Sequence, residues 1–128
     1  MDPLRTEATK YTPEINYISE NNTLELKGMS YPADAAEFYT PLFNWLEKYL
    51  EHMTDQNLSV NIEFLYLNSS STKIMWDFFE LLEEAVKNGK NVSVNWIYDE
   101  EDDDKLEMGE EFEEDFESLP FNLLMKEI

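Results

Sequence analysis

The sequence contains no cysteine, one histidine and three glycines among its 128 residues, and each shortage removes a class of chemistry. Without cysteine there is no disulfide framework, no thiolate metal site and no cysteine nucleophile. His52, which follows Glu51, has no second imidazole or thiolate with which to complete a transition-metal or nucleophile constellation, and reads as a solvent-facing structural residue. Gly28, Gly89 and Gly109 are too few and too scattered for a phosphate-cradling loop or a dinucleotide fingerprint. No stretch approaches the roughly 20 apolar residues of a membrane span. The opening Met1-Asp2-Pro3-Leu4-Arg5 holds no apolar run of signal-peptide length. Cytoplasm is the expected compartment. Positive charge is scarce as well: 9 Lys and Arg stand against 29 Asp and Glu, a formal charge of −20. Such a surface repels nucleic-acid phosphates and anionic headgroups, so neither nucleic acid nor membrane is an expected partner.

What is present is enough for one packed core: 42% of residues are hydrophobic and 14% aromatic, a composition unlike that of disordered acidic chains. The acidity is uneven, with 13 acidic residues against Lys105 alone in residues 99–117. Residues 99–110 have the length of a calcium-binding loop, but Asp104 occupies the sixth position, where the tight turn needs glycine. No metal site and no cofactor are expected, and a solvated face is the plainer meaning of this run.

Hydrophobic periodicity gives the elements. Residues 1–12 show no period and read as a flexible lead-in to a single domain over residues 13–128. Ile15, Tyr17 and Ile18, the turn chemistry of Glu20-Asn21-Asn22, and the clean alternation of residues 23–29 predict a β-hairpin. Phe38, Leu42, Trp45, Leu46, Tyr49 and Met53 then fall at helical spacing. Pro41 leaves two possibilities, a helix capped by Thr40 or one that begins near Ala33 and kinks. Val60, Ile62, Phe64 and Tyr66 alternate as a strand, and Leu65 and Leu67 suggest that its C-terminal half is covered on both faces. Ile74, Phe78, Leu81, Leu82 and Ala85 mark a second helix, stopped at Asn88-Gly89. Val92, Val94, Trp96 and Tyr98 form a further strand. Met108, Phe112, Phe116 and Leu119 give the acidic run one apolar stripe, a helix over residues 105–118, and Phe121, Leu123 and Met125 end the series as a strand. The order ββαβαβαβ predicts an α/β fold, a mixed β-sheet of about five strands with helices packed on it.

One junction is over-furnished. Asn68, Ser69, Ser70, Ser71 and Thr72 lie between an apolar strand and an amphipathic helix, where one capping residue would suffice. A helix N-terminus carries partial positive charge and free N–H groups, so a phosphate added there would be well received. Capping and phosphorylation both remain open on position alone.

The stretch Phe64-Leu65-Tyr66-Leu67-Asn68-Ser69-Ser70-Ser71-Thr72-Lys73, followed by Asp77-Phe78-Phe79-Glu80-Leu81-Leu82-Glu83-Glu84-Ala85, resembles the signature of the SiaC-type bacterial regulatory phosphoproteins. Ser30-Tyr31-Pro32 and Val94-Asn95-Trp96-Ile97-Tyr98-Asp99 are similar too, and the likeness covers roughly residues 12–126. The resemblance implies a STAS-like fold, related to that of anti-sigma-factor antagonists, and a phosphorylated hydroxyl directly after the motif Asn. Here that is Ser69, where the family usually has Thr, with Ser70 as second choice. It further implies a non-enzymatic protein whose unphosphorylated form binds and activates a diguanylate cyclase or another signalling effector, with effects on cyclic-di-GMP and biofilm formation. A serine/threonine kinase and a metal-dependent phosphatase would set its state. Asn68, Ser70, Ser71, Thr72, Lys73 and Asp77 are the expected partner-binding residues. The alternative is a constitutive acidic adaptor, or an anti-sigma-factor antagonist, that binds through helix 105–118 and uses Ser69 only as a cap.

Overall fold

The computed structural model describes residues 4–126. Nine elements follow in order: β1 (Arg5–Thr6), β2 (Glu14–Ile18), β3 (Thr23–Ser30), α1 (Ala35–His52), β4 (Asn57–Leu67), α2 (Ser69–Lys87), β5 (Asn91–Asp99), α3 (Asp103–Asp115) and β6 (Phe121–Lys126). The six strands form one sheet in sequence order, antiparallel from β1 to β3 and parallel from β3 to β6. The sixth strand is the one the sequence did not announce. Arg5 and Thr6 pair with Asn16 and Ile15, so the lead-in contributes an edge strand, and its first three residues lie outside the described ones. Two residues are too few to show a period of two.

Each helix links neighbouring parallel strands in one direction across the sheet, and right-handed crossovers place all three helices on the same face. Burial follows this layout. Leu58, Val60, Ile62 and Phe64 of β4 and Val92, Val94 and Trp96 of β5 are buried under the helices, whereas Ser59, Asn61, Glu63, Ser93 and Asn95 between them are only half-buried on the open face. There the asparagines form a rung across three strands, with Asn95 Nδ2 donating to Asn61 Oδ1 at 2.8 Å and Asn122 Nδ2 donating to Asn95 Oδ1 at 3.0 Å. The C-terminal half of β4 is therefore not covered on both faces, contrary to expectation. Leu65 has no partner on β3, where Gly28 pairs with Phe64 and Met29 with Tyr66. This bulge inserts one residue and shifts the alternation. Leu65 and Tyr66 both emerge into solvent, at 57% and 44% exposure, and Leu67 turns into the core.

Helix α1 takes the second of the two predicted starts. Asp34 is the cap, its side chain accepting from the Glu37 N–H at 3.1 Å, and Pro41 lies inside the helix on its exposed face. There water can satisfy the carbonyl that proline leaves without a donor. Helix α2 ends as its sequence suggests: Gly89 has φ +90°, and the N–H groups of Lys90 and Gly89 donate to the carbonyls of Ala85 and Val86, the paired bonds of a Schellman stop.

Helix α3 carries acidic residues at both ends, which the helix dipole favours only at the first. Aromatic anchoring outweighs this. Phe112, Phe116 and Leu119 are buried, each burial contributing roughly 1.5–3 kcal/mol against ~0.3–1 kcal/mol per unfavourable terminal charge. The Trp96 indole also donates to the Lys105 carbonyl at 2.8 Å, and Gly109 faces Trp96 so closely that a Cβ there would lie 2.5 Å from Trp96 Cδ1. Gly109→Ala, which in an exposed helix would stabilise by about 1 kcal/mol, is expected here to destabilise by ~1–3 kcal/mol through overpacking. Urea unfolding of the two proteins reads the sign.

Candidate functional site

The serine-rich segment is the first turn of α2 rather than a loop before it. Asn68 is the cap, its Oδ1 accepting from the Ser71 N–H at 2.9 Å, and its own N–H donates to the Ser30 carbonyl at 3.0 Å. The Thr72 hydroxyl donates back to the Asn68 carbonyl at 3.1 Å. One cap thus does the capping. Ser69 and Ser70 are exposed at the open end of the helix, where its unpaired N–H groups face outward.

Ser71 corrects the expected partner-binding set. It is 0% exposed, because it is the third residue after the cap and points under the helix. Its Oγ accepts a 2.8 Å hydrogen bond from Ser30, which is also hydrogen-bonded to the hydroxyl of Tyr39. Ser30, Tyr39 and Ser71 make a buried polar knot joining the end of β3, helix α1 and the first turn of α2. Burial pushes the Tyr39 phenol up to about 12, with the Ser30 hydrogen bond acting in the opposite sense. A phenol whose pKa is raised on folding contributes stability that is complete below about pH 10 and is lost as pH rises through about 12. Wild type is therefore expected to lose stability between about pH 9 and 11.5 more steeply than Tyr39→Phe in parallel urea titrations. Some slope should remain in the variant from Tyr17, which burial and the neighbouring Tyr49 also raise.

The other expected site residues lie outside. Lys73 and Asp77 are exposed, and Thr72 is half-buried. Helical spacing sets Ser69, Thr72, Lys73 and Trp76 on one side of α2. Lys73 is one turn from Ser69, in reach of any anion that Ser69 carries.

Four aromatic residues near this turn were missed in the sequence. Tyr11, Tyr31 and Tyr66 are 50%, 44% and 44% exposed and form a chain, with Tyr11 and Tyr31 ring centroids 5.4 Å apart and Tyr31 and Tyr66 5.5 Å apart. Tyr66 is two residues before Asn68, and Tyr31 follows the Ser30 that bonds it. Trp76, 42% exposed, leans on Phe116 with centroids 4.9 Å apart. Gly28, a lone glycine inside an alternating strand with φ +121°, was the available signal for the bulge that exposes Tyr66. Trp76 falls on the side of α2 opposite the apolar stripe of Ile74, Phe78, Leu81, Leu82 and Ala85, which was the available signal that it lies outside the core, but nothing in the pattern showed what lies beside it.

Among the described residues no group of carboxylates or histidine is placed to hold a metal ion, and no helix is long and apolar enough to cross a membrane.

Residues 6–126 match the family model described as SiaC family regulatory phosphoprotein. A curated relative, an "Uncharacterized protein" of Pseudomonas aeruginosa (strain UCBPP-PA14), is 37% identical over 121 residues, 94% of each chain. Two solved structures from Pseudomonas aeruginosa are similar over 98% of this chain and 99% of theirs. One is apo-SiaC, at 32% identity and a TM-score of 0.83. The other is the diguanylate cyclase SiaD in complex with its activator SiaC, at 34% identity and a TM-score of 0.84.

Proposed function

The chain belongs to the SiaC family of regulatory phosphoproteins, and on that premise we propose that it is a regulator, itself without catalytic activity, that binds and activates a diguanylate cyclase when Ser69 is unphosphorylated. Phosphorylation of Ser69 by a serine/threonine kinase switches the activator off, and a metal-dependent phosphatase restores it. Cyclic-di-GMP output and biofilm formation follow. The observation that carries this reading is the near-complete likeness to the SiaC chain solved with the cyclase it activates.

Local geometry supplies the mechanism. The surface around Ser69 combines small hydroxyls with three exposed tyrosines, and tyrosine is enriched where interfaces are strongest. A partner can cover this neutral surface at little desolvation cost. A phosphoryl group adds about −1.5 to −2 of charge and three acceptor oxygens. Without a partner, that dianion is held by water, the free N–H groups of α2 and Lys73. Docking would then require stripping the water away. Ser70 is the second candidate acceptor, whereas Ser71 is inaccessible inside the fold.

Intact-mass analysis and peptide mapping after incubation with a SiaC-directed kinase test the assignment. One phosphate at Ser69 is expected. A phosphate mapped outside residues 68–72, or none at all, would end this reading.

A further inference from the structure

We propose that the groove between α2 and α3 is the docking site for a basic amphipathic segment of the protein partner, a helix bearing Lys or Arg around a large apolar side chain. This deepens the functional reading above and rests on it, because it names the chemistry of the partner's contact beyond the phosphorylated turn. The groove is a cleft of about 250 Å3. Trp76 and the half-buried Met108 form its apolar floor, and Asp104, Glu107, Glu111 and Asp115 edge it.

Three features select the occupant. First, the floor presents an aromatic ring fixed from behind. Trp76 rests on Phe116 and on the buried Phe112, so burying its exposed face orders nothing further, and its π-face suits a guanidinium or ammonium. Second, the four carboxylates recur at intervals of three and four along one side of α3 and span about 16 Å at 1.5 Å per residue. A row of that length matches three turns of a second helix with cations at the same spacing. No three of them gather closely enough to hold a metal ion, so the charges are laid out for an extended polycation. Third, α3 does not neutralise its own rim: Lys105, its single cation, is buried and paired with Asp102 at 3.8 Å. An acidic or nucleic-acid partner would be repelled there.

The acidic groove does not reverse the sign of the phosphate switch. The groove reaches Thr72 but not Ser69, and Trp76 is seven residues beyond Ser69, about 10 Å along the helix, so the phosphate stands at the end of the groove and not on its floor. The phosphate acts where it must be desolvated, at the turn. The groove supplies attraction in either state.

Trp76 is a built-in reporter, since Trp45 and Trp96 are buried at 7% and 1% exposure. The probe is a synthetic amphipathic peptide of about 16 residues, made of leucine and lysine and long enough to span the carboxylate row, with a leucine and glutamate peptide as counterpart. The lysine peptide should shield Trp76 from acrylamide quenching saturably, and the glutamate peptide should not. The double variant Glu107→Gln/Glu111→Gln should weaken binding about tenfold, and Glu47→Gln/Glu51→Gln on α1, equal in charge removed, by less than about twofold. Equal weakening by the two pairs, or unchanged quenching of Trp76, would overturn the groove. In a second arm, wild type and the groove pair are titrated against a SiaD-type cyclase, where the pair should need about tenfold more protein for half-maximal stimulation. Stimulation unchanged by the groove pair sinks the docking site and leaves the Ser69 switch standing. Absence of stimulation by wild type sinks the cyclase reading, and the peptide arm still decides the groove.

Discussion

Ser69→Asp is expected to weaken stimulation of a SiaD-type diguanylate cyclase by about tenfold or more, and Ser69→Ala to leave it within about twofold, when half-maximal activator concentrations are compared. The asymmetry is the informative part. Alanine removes an exposed hydroxyl whose position is already capped by Asn68, so helix and surface both survive. Aspartate places a carboxylate at the first helical position, where the dipole favours it by ~0.3–1 kcal/mol in the free protein. That is stabilisation which docking must forfeit along with hydration of the charge. A loss of ~1.4 kcal/mol suffices for tenfold, and one poorly paired, desolvated charge exceeds that readily. Ser70→Asp offers the internal comparison: a smaller effect than that of Ser69→Asp is expected, because Ser69 shares its helix side with Lys73 and Trp76.

Phe79→Ala is expected to have the largest effect on stability, roughly 3–5 kcal/mol, read from the shift in urea midpoint. Phe79 is 0% exposed and its ring meets those of Phe78, Trp96, Phe112, Phe116 and Phe121 at centroid distances between 4.8 and 6.4 Å. It is the point where α2, β5, α3 and β6 converge. Its loss removes about a fifth or more of the roughly 5–15 kcal/mol that holds a typical domain together. The loss should fall first on α3, which is held to the rest by Phe112 and Phe116 against its own charge repulsion. Hydrogen exchange is therefore expected to quicken in α3 before it quickens in β4.

Much of this architecture was legible in the chain. Period-two and helical spacing located the hairpin, three helices and the parallel strands, and the junction at residues 68–72 stood out because five polar side chains exceed the needs of one cap. Several features escaped, each for a physical reason. The edge strand at Arg5 and Thr6 is held by backbone pairing, which leaves no trace in side-chain pattern. The bulge at Leu65 converts an apparently core tyrosine into a surface one, and alternation read along one strand cannot reveal a residue that its neighbour fails to match. Ser71 looked equivalent to Ser69 and Ser70, yet helical phase turns it under the helix to meet Ser30, 41 residues away in sequence, which in turn bonds Tyr39. The open, asparagine-lined sheet face likewise depends on all three crossovers having one hand and one direction. The acidic run read as a solvated face, and it is one on its outer side. Its role in the groove depends on which α2 side chain lies opposite.

The most direct test of the switch is a binding titration of a purified SiaD-type diguanylate cyclase with the protein in two verified forms, unphosphorylated and stoichiometrically phosphorylated on Ser69. The account predicts that the phosphorylated form binds at least about tenfold more weakly, with affinity restored by phosphatase treatment. Equal affinity of the two forms, or tighter binding after phosphorylation, would contradict it.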